Sequence, residues 1–196
     1  MNSSKRIAPG SVRIVGGDWR SRRIRVPARA DVRPTPDRVR ETLFNWLGQR
    51  LDGLSCLDLF AGSGALGFEA ASRGAARVVM VEQDRDVFSH LKDFKETIKA
   101  AQVDLVNGDA FHYLKGSGER FDVVFLDPPF RQNALPGLLM QLPDRLKPGA
   151  RVYVEAASPI EAKPPWQELK RARAGQVSYQ LLEWRTDDQG RLSGNV

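Results

Sequence analysis

The chain has one cysteine, Cys56, among 196 residues. An intramolecular disulfide and a multi-cysteine zinc or iron–sulfur site are therefore excluded. It has two histidines, His90 and His112. Both fall in helix-patterned stretches without metal-ligating partners at suitable spacing, so no metal is expected. No apolar run approaches the roughly 18 residues of a membrane span, and the first residues lack an apolar leader stretch. A cytoplasmic protein with no membrane partner is expected. The glycine-rich segment near residue 62 lacks a Gly-Lys-Ser/Thr ending, which excludes a P-loop.

Acids are scarce at one end. Residues 1–40 hold 11 basic residues and three acids (Asp18, Asp31, Asp37), a balance of +8. The rest of the chain carries −2, so the whole excess of +6 comes from this end. Ten of those 11 basic residues are arginine, the better bidentate phosphate ligand. The pattern points to a polyanion, nucleic acid first and an anionic membrane second, against the plainer alternative of a solvated basic face. Arg13, Trp19, Arg20, Arg22, Arg23, Arg33, Arg38 and Arg40 are the candidate nucleic-acid contacts. Trp19 could stack on a base or cover its own hairpin.

At 41% hydrophobic and 28% charged residues, the chain is ordinary for one globular domain with a small appendage. Residues 12–15 and 24–26 alternate around Gly16-Gly17, as in a hairpin wearing arginines on one face. Residues 31–36 are a Pro-punctuated linker. Thr35-Pro36-Asp37 then starts a helix, with Thr as cap, Pro at the first position and an acid in the first turn. Val39, Leu43, Trp46 and Leu47 mark its apolar face. From residue 55 short apolar strands alternate with helices. Strands are expected over 55–60, 77–82, 103–106, 121–126, 150–155, 166–173 and 176–184, and helices over 65–72, 85–100, 110–114 and 135–146. Such strands imply a buried parallel sheet with helices on both faces. The boundaries expected are a basic arm over 1–34, the α/β domain over 35–188 and a tail over 189–196.

Four strand ends carry candidate ligands. Gly62-x-Gly64-x-x-Gly67 follows the first strand of the α/β part. This spacing lets a backbone approach a ligand at a helix N-terminus. Asp58 precedes it. A carboxylate there repels a pyrophosphate but suits a cationic ligand, which favours S-adenosylmethionine over a nicotinamide dinucleotide. Glu82 ends the next strand and is placed for ribose hydroxyls. Asp109 follows the third, either accepting from an adenine amine or capping the short helix. Asp84 is expected to cap its own helix.

Asp127-Pro128-Pro129-Phe130 ends the fourth strand. Paired prolines fix a corner that presents the Asp127 carboxylate and the Pro128 carbonyl as acceptors. Hydrogen bonds from an exocyclic amine to such acceptors free its delocalised lone pair for attack. Phe130 supplies a ring for stacking, worth roughly 1–3 kcal/mol. Ligands in open α/β sheets collect at strand carboxyl ends, so four such signals reinforce one another. Cys56 reads as a buried strand residue.

Together, the Asp58–Gly67 and Asp127–Phe130 motifs resemble class I methyltransferases acting on exocyclic amines of nucleobases. Arg13-Ile14-Val15-Gly16-Gly17-x-Trp19-Arg20, the stretch from Arg33 to Leu47 and Leu59-Phe60-Ala61-Gly62-Ser63-Gly64-Ala65-Leu66-Gly67 are similar to the RsmD family over about residues 11–185. The family consists of bacterial guanine-N2 methyltransferases of small-subunit ribosomal RNA. The resemblance implies a Rossmann-like sheet of seven strands, one antiparallel. It implies S-adenosylmethionine along Asp58, Phe60, Ala61, Gly62, Ser63 and Gly64, with Glu82 and Gln83 at the ribose and Asp109 and Ala110 at the adenine. Asp127, Pro128, Pro129 and Phe130 would hold the target base, and residues 35–46 would lie over donor and substrate. The implied partner is 16S ribosomal RNA or the assembling small subunit, the implied target guanine 966, and the expected oligomeric state a monomer. Asp93 departs from the asparagine of many relatives, away from the proposed chemistry. An adenine-N6 DNA methyltransferase and a non-catalytic RNA-binding assembly factor are the alternatives. The first lacks room for a DNA-recognition domain, and the intact Asp-Pro-Pro-Phe speaks against the second.

Overall fold

Alternating apolar residues and arginines build the first element. The computed structural model describes residues 10–26, 35–129 and 133–185. In it, β1 (Ser11–Arg13) and β2 (Arg23–Arg25) form an antiparallel pair. Val12 and Ile24 face each other across the pair and are buried with Ile14, while Arg13, Arg23 and Arg25 are exposed. The three apolar side chains join the same core as the helices behind them. Arg29 and Arg33 lie outside the described residues.

Helices and strands then alternate. They are α1 (Asp37–Leu47), β3 (Ser55–Asp58), α2 (Ala65–Ser72), β4 (Arg77–Glu82), α3 (Arg85–Ile98), β5 (Val103–Asn107), α4 (Ala110–Gly116), β6 (Phe121–Leu126), α5 (Leu135–Gln141), β7 (Leu146–Ala156), β8 (Trp166–Ala174) and β9 (Val177–Trp184). The sheet has seven strands in the order β5-β4-β3-β6-β7-β9-β8. Neighbours pair parallel except β9, which is antiparallel to β7 and β8. The mixed sheet with one antiparallel strand is thus present. Strand order reverses between β3 and β6, where open α/β sheets form their ligand crevice.

Each face has its own core. Cys56, Met80, Phe125 and Tyr153 point toward the hairpin, α1, α2 and α3. Leu57, Val79, Val124 and Val152 point toward α4 and α5. The near-continuous apolar strands follow from burial on both sides. Burial pushes the Cys56 thiol far up, as befits an inert core residue. Among the described residues no helix is long and apolar enough to cross a membrane.

Several element ends differ from expectation, the expected strand 55–60 ending at Asp58 among them, and three have a visible cause or consequence. Pro36, not Thr35, occupies the N-cap of α1, and no side chain caps this helix. The helix from Leu135 stops at Gln141 and gives way to a 3-10 turn over Leu142–Arg145, because Pro143 cannot donate to a continuing helix. β7 consequently starts at Leu146, earlier than expected, and its register against β6 shifts between Phe121 and Val123. By contrast Asp84 caps α3 as expected, accepting from Asp86 N and Val87 N.

Candidate active site

The turn from β3 into α2 is shaped by close approach. Gly64, at φ 77°, is the N-cap of α2, and a Cβ there would lie 2.6 Å from the Phe68 ring and 2.7 Å from Leu91. A Cβ on Gly67 would meet the Met80 sulfur at 2.6 Å. Glycine at these two positions lets the helix press on β4 and leaves the loop's outer backbone bare.

Two strand-end carboxylates hold this loop. Asp58 is 1% exposed. Its Oδ2 accepts from Gly67 N at 3.0 Å, supplying from the strand the cap that Gly64 cannot. Glu82 Oε2 accepts from Gly62 N at 2.8 Å, and its Oε1 accepts from Asp84 N at 2.7 Å. Asn107 Nδ2 donates to Glu82 O at 2.8 Å and to Gln83 O at 3.3 Å, drawing the third strand end against the second. Asp109 accepts from His112 N at 3.0 Å, so it caps α4 while lying at the same edge. Ala61, Ser63, Gly64 and Ala110 are buried, Phe60 and Gly62 half-buried, and Gln83 exposed.

The fourth strand end completes the edge. Pro128 is buried, Pro129 exposed and Asp127 half-buried. Phe130 lies outside the described residues. Among the described residues no group donates a hydrogen bond to the Asp127 carboxylate. Leu126 pairs with Val154 across β6 and β7, so Asp127 and Glu155 follow side by side. Glu155 is 6% exposed; Tyr153 Oη donates to its Oε1 at 2.6 Å, and the Thr35 side chain lies near it, which lowers its pKa.

Burial governs the electrostatics. It pushes the Asp58 carboxyl up to about 7, against the pull of the Phe60 and Gly67 N–H groups. It also raises Asp127 well above its ordinary value, helped by the charges of Glu155 and Asp58, and raises Glu155. Three carboxylates thus line one edge, and the described residues place no cation among them. A ligand bearing positive charge would favour their ionised forms. S-adenosylmethionine, with its sulfonium and ammonium, fits this acidic edge beside the bare glycine loop.

The sign of the resulting pH dependence is fixed. Asp58 binds its proton more tightly in the folded than in the unfolded state, so between its ordinary 3.8 and about 7 the folded state carries the extra proton. This group's contribution to stability therefore falls as pH rises through that window and levels off above it. Asp58→Asn keeps an acceptor for Gly67 N and removes the titration. Thermal melts of the ligand-free protein between pH 5 and 8 should give a flatter curve for Asp58→Asn. Parallel curves would contradict the assignment.

Arg13, Arg20, Arg22, Arg23 and Arg38 are exposed, and Trp19 is half-buried against the core. Arg13 pairs with Asp37 at 2.8 Å. Arg40 is a correction. It is fully buried, with Nη1 on Glu69 at 3.2 Å, Nη2 on Asp37 at 2.5 Å and Nε on the Thr35 carbonyl at 3.1 Å, so it presents no charge to a nucleic acid. Glu69 also accepts from Val15 N at 2.8 Å, Gly16 N at 2.7 Å and Arg73 Nε at 2.8 Å. This one carboxylate fastens the hairpin, α1 and α2 together. Sequence reasoning missed Glu155, although an acid at a strand's carboxyl end was the signal that marked Glu82 and Asp127. It also missed Glu69, inside a helix with no local signal.

The family model described as conserved hypothetical protein 95 matches residues 12–183. Ribosomal RNA small subunit methyltransferase D of Escherichia coli strain K12 is 44% identical over 181 residues, covering 89% of this chain and 90% of its own. The Haemophilus influenzae protein of the same name is 43% identical, covering 90% and 95%. The solved structure of the Escherichia coli protein yhhF superposes with a TM-score of 0.83 at 42% identity, covering 91% of this chain and 100% of that one.

Proposed function

We propose a function from the fact that this chain belongs to the conserved hypothetical protein 95 family, the RsmD family: it methylates the exocyclic N2 amine of a guanine in small-subunit ribosomal RNA, in the cytoplasm, during subunit assembly. The observation that carries the reading is the acidic edge formed by Asp58, Asp127 and Glu155 beside a glycine loop, in a chain with methyltransferase relatives. S-adenosylmethionine supplies the methyl group from its sulfonium. Asp58 and the 60–64 loop hold its charged end, Glu82 and Gln83 the ribose, and Asp109 and Ala110 the adenine. Asp127 and the Pro128 carbonyl accept hydrogen bonds from the target amine and localise its lone pair, with Phe130 stacking on the base. The nitrogen forms its bond to the methyl carbon as the carbon–sulfur bond breaks onto sulfur, and one amine proton leaves toward Asp127. Positioning supplies most of the rate. The target base must be unpaired or leave its stack, at a few kcal/mol.

Residues 1–34 act as the RNA-gripping arm and residues 35–188 as the catalytic domain. Arg13, Trp19, Arg20, Arg22, Arg23 and Arg38 contact the RNA, the arginines gripping phosphates without reading sequence. Affinity for RNA therefore falls steeply with salt. Replacing Arg20, Arg22 and Arg23 with Gln should lower the slope of log affinity against log salt by about 2. A filter-binding series from low to high salt checks this, and an unchanged slope argues against the arm.

The reaction class is tested by label transfer from S-adenosylmethionine to undermethylated small subunits, naked small-subunit RNA and duplex DNA. Label in subunits or RNA supports the reading and shows which form is preferred. Label confined to DNA favours the adenine-N6 alternative. Bound donor with no label in any acceptor favours the assembly-factor alternative.

A further inference from the structure

Glu155 has no place in the reaction as described, yet it is buried and its charge acts on Asp127. It is the next-to-last residue of β7, and the strand register sets it beside Asp127. Strand alternation sends its side chain to the same sheet face as Tyr153, whose hydroxyl it accepts at 2.6 Å. The Tyr153 ring is itself fixed between Phe125 and Tyr179, at 6.5 and 6.2 Å between centroids.

Thr35, 7% exposed at the entrance to α1, is the other polar side chain near Glu155. The Thr35 carbonyl accepts from Arg40 Nε at 3.1 Å, and Arg40 Nη1 donates to Glu69 at 3.2 Å. Glu69 in turn holds Val15 N and Gly16 N of the hairpin. A continuous run of buried polar contacts therefore links the arginine-bearing hairpin to the residue beside Asp127. The groups acting on the pair are Asp58 from β3, Tyr153 from β7 and Thr35 from the start of α1. Arg40 is engaged by Glu69 and Asp37.

We propose that Glu155 is a positioning residue for the methyl transfer: held by Tyr153 and Thr35, it sets the charge of the neighbouring Asp127 and fixes the start of α1 against the target-base corner. Two carboxylates at neighbouring strand ends do not ionise independently, because each charge opposes the other. Asp127 must be ionised to accept from the amine and receive its proton. Glu155 thus sets the pH below which Asp127 is protonated and transfer fails. This role rests on the proposed methyl transfer, and one of its readouts does not.

Glu155→Gln keeps an acceptor for the Tyr153 hydroxyl and removes the charge. The Asp127 carboxyl carbon can be followed by NMR in protein labelled at aspartate, its resonance identified by its loss in Asp127→Asn. In Glu155→Gln it is expected to titrate about one pH unit lower than in the wild type, whatever reaction the protein performs. Equal titration midpoints would overturn the proposal. In the transfer assay, the acid limb of the kcat profile should move down by the same unit, about tenfold faster transfer on that limb, with S-adenosylhomocysteine affinity unchanged. Thr35→Val, which leaves all charges in place, should lower kcat at saturating donor and RNA, and Thr35→Ser should restore it. A Thr35→Val variant with wild-type kcat would also overturn the proposal. If wild-type protein transfers no methyl to any RNA, the functional reading falls, while the NMR titration still decides the role of Glu155.

Discussion

Asp127→Ala is expected to reduce methyl transfer by about a thousandfold at saturating donor and RNA, at the upper end of the loss for removing one aligned polar group from a transition state. Affinity for S-adenosylhomocysteine should stay close to wild type, because the glycine loop, Asp58 and Glu82 are untouched. The reason lies in the amine. Its lone pair is delocalised into the base, and only an acceptor aligned with its N–H bonds localises it on nitrogen. Among the described residues no group already donates to Asp127. Single-turnover rates and calorimetric titration with S-adenosylhomocysteine separate the two effects. Normal turnover at saturation with lost donor affinity would move Asp127 from the target base to the donor.

The largest loss of stability is expected from Glu69→Ala. Glu69 is fully buried and accepts from two hairpin N–H groups and two arginines. Its removal leaves Arg40 inside the protein with only Asp37 and the Thr35 carbonyl, and strips the partners from Val15 N and Gly16 N. Breaking a buried pair from one side costs about 3–5 kcal/mol. In a chain of this size that corresponds to a fall in Tm of roughly 6–20 °C. Glu69→Gln should lose less, since its amide oxygen still accepts. A melt of Glu69→Ala within about 3 °C of wild type would show that the hairpin and α1 are fastened by their apolar contacts alone.

The contrast between Asp127 and Glu69 shows what was legible in the sequence. Strand ends announce themselves locally. The apolar run 121–126 followed by Asp127-Pro128-Pro129 predicts both β6 and an acid at its exit. The same logic placed Glu82 at the end of β4, while Asp58 was marked by its place before the glycine motif and is the last residue of β3. Alternation in Val12-Arg13-Ile14 predicted which hairpin residues turn inward. Arg40 was not legible. It stands in a basic stretch, and only Glu69, 29 residues away, turns it from a surface charge into a core one. Thr35 has the composition of a helix cap, but its side chain lies near Glu155 toward the end of β7. Pro36 occupies the cap position instead. Local preference yields where a distant partner offers a buried polar contact. The early end of α5 was legible in principle, because Pro143 is a local signal for it.

The central claim is that the edge carrying Asp58, Glu82 and Asp127 transfers a methyl group to the N2 amine of a guanine. Its most direct test is mass analysis of the nucleosides from small-subunit RNA treated with S-adenosylmethionine and the wild-type protein, with Asp127→Ala as the parallel sample. The account predicts N2-methylguanosine in the first and none above background in the second. A methylated nucleoside other than N2-methylguanosine, or equal yields from both proteins, would contradict it.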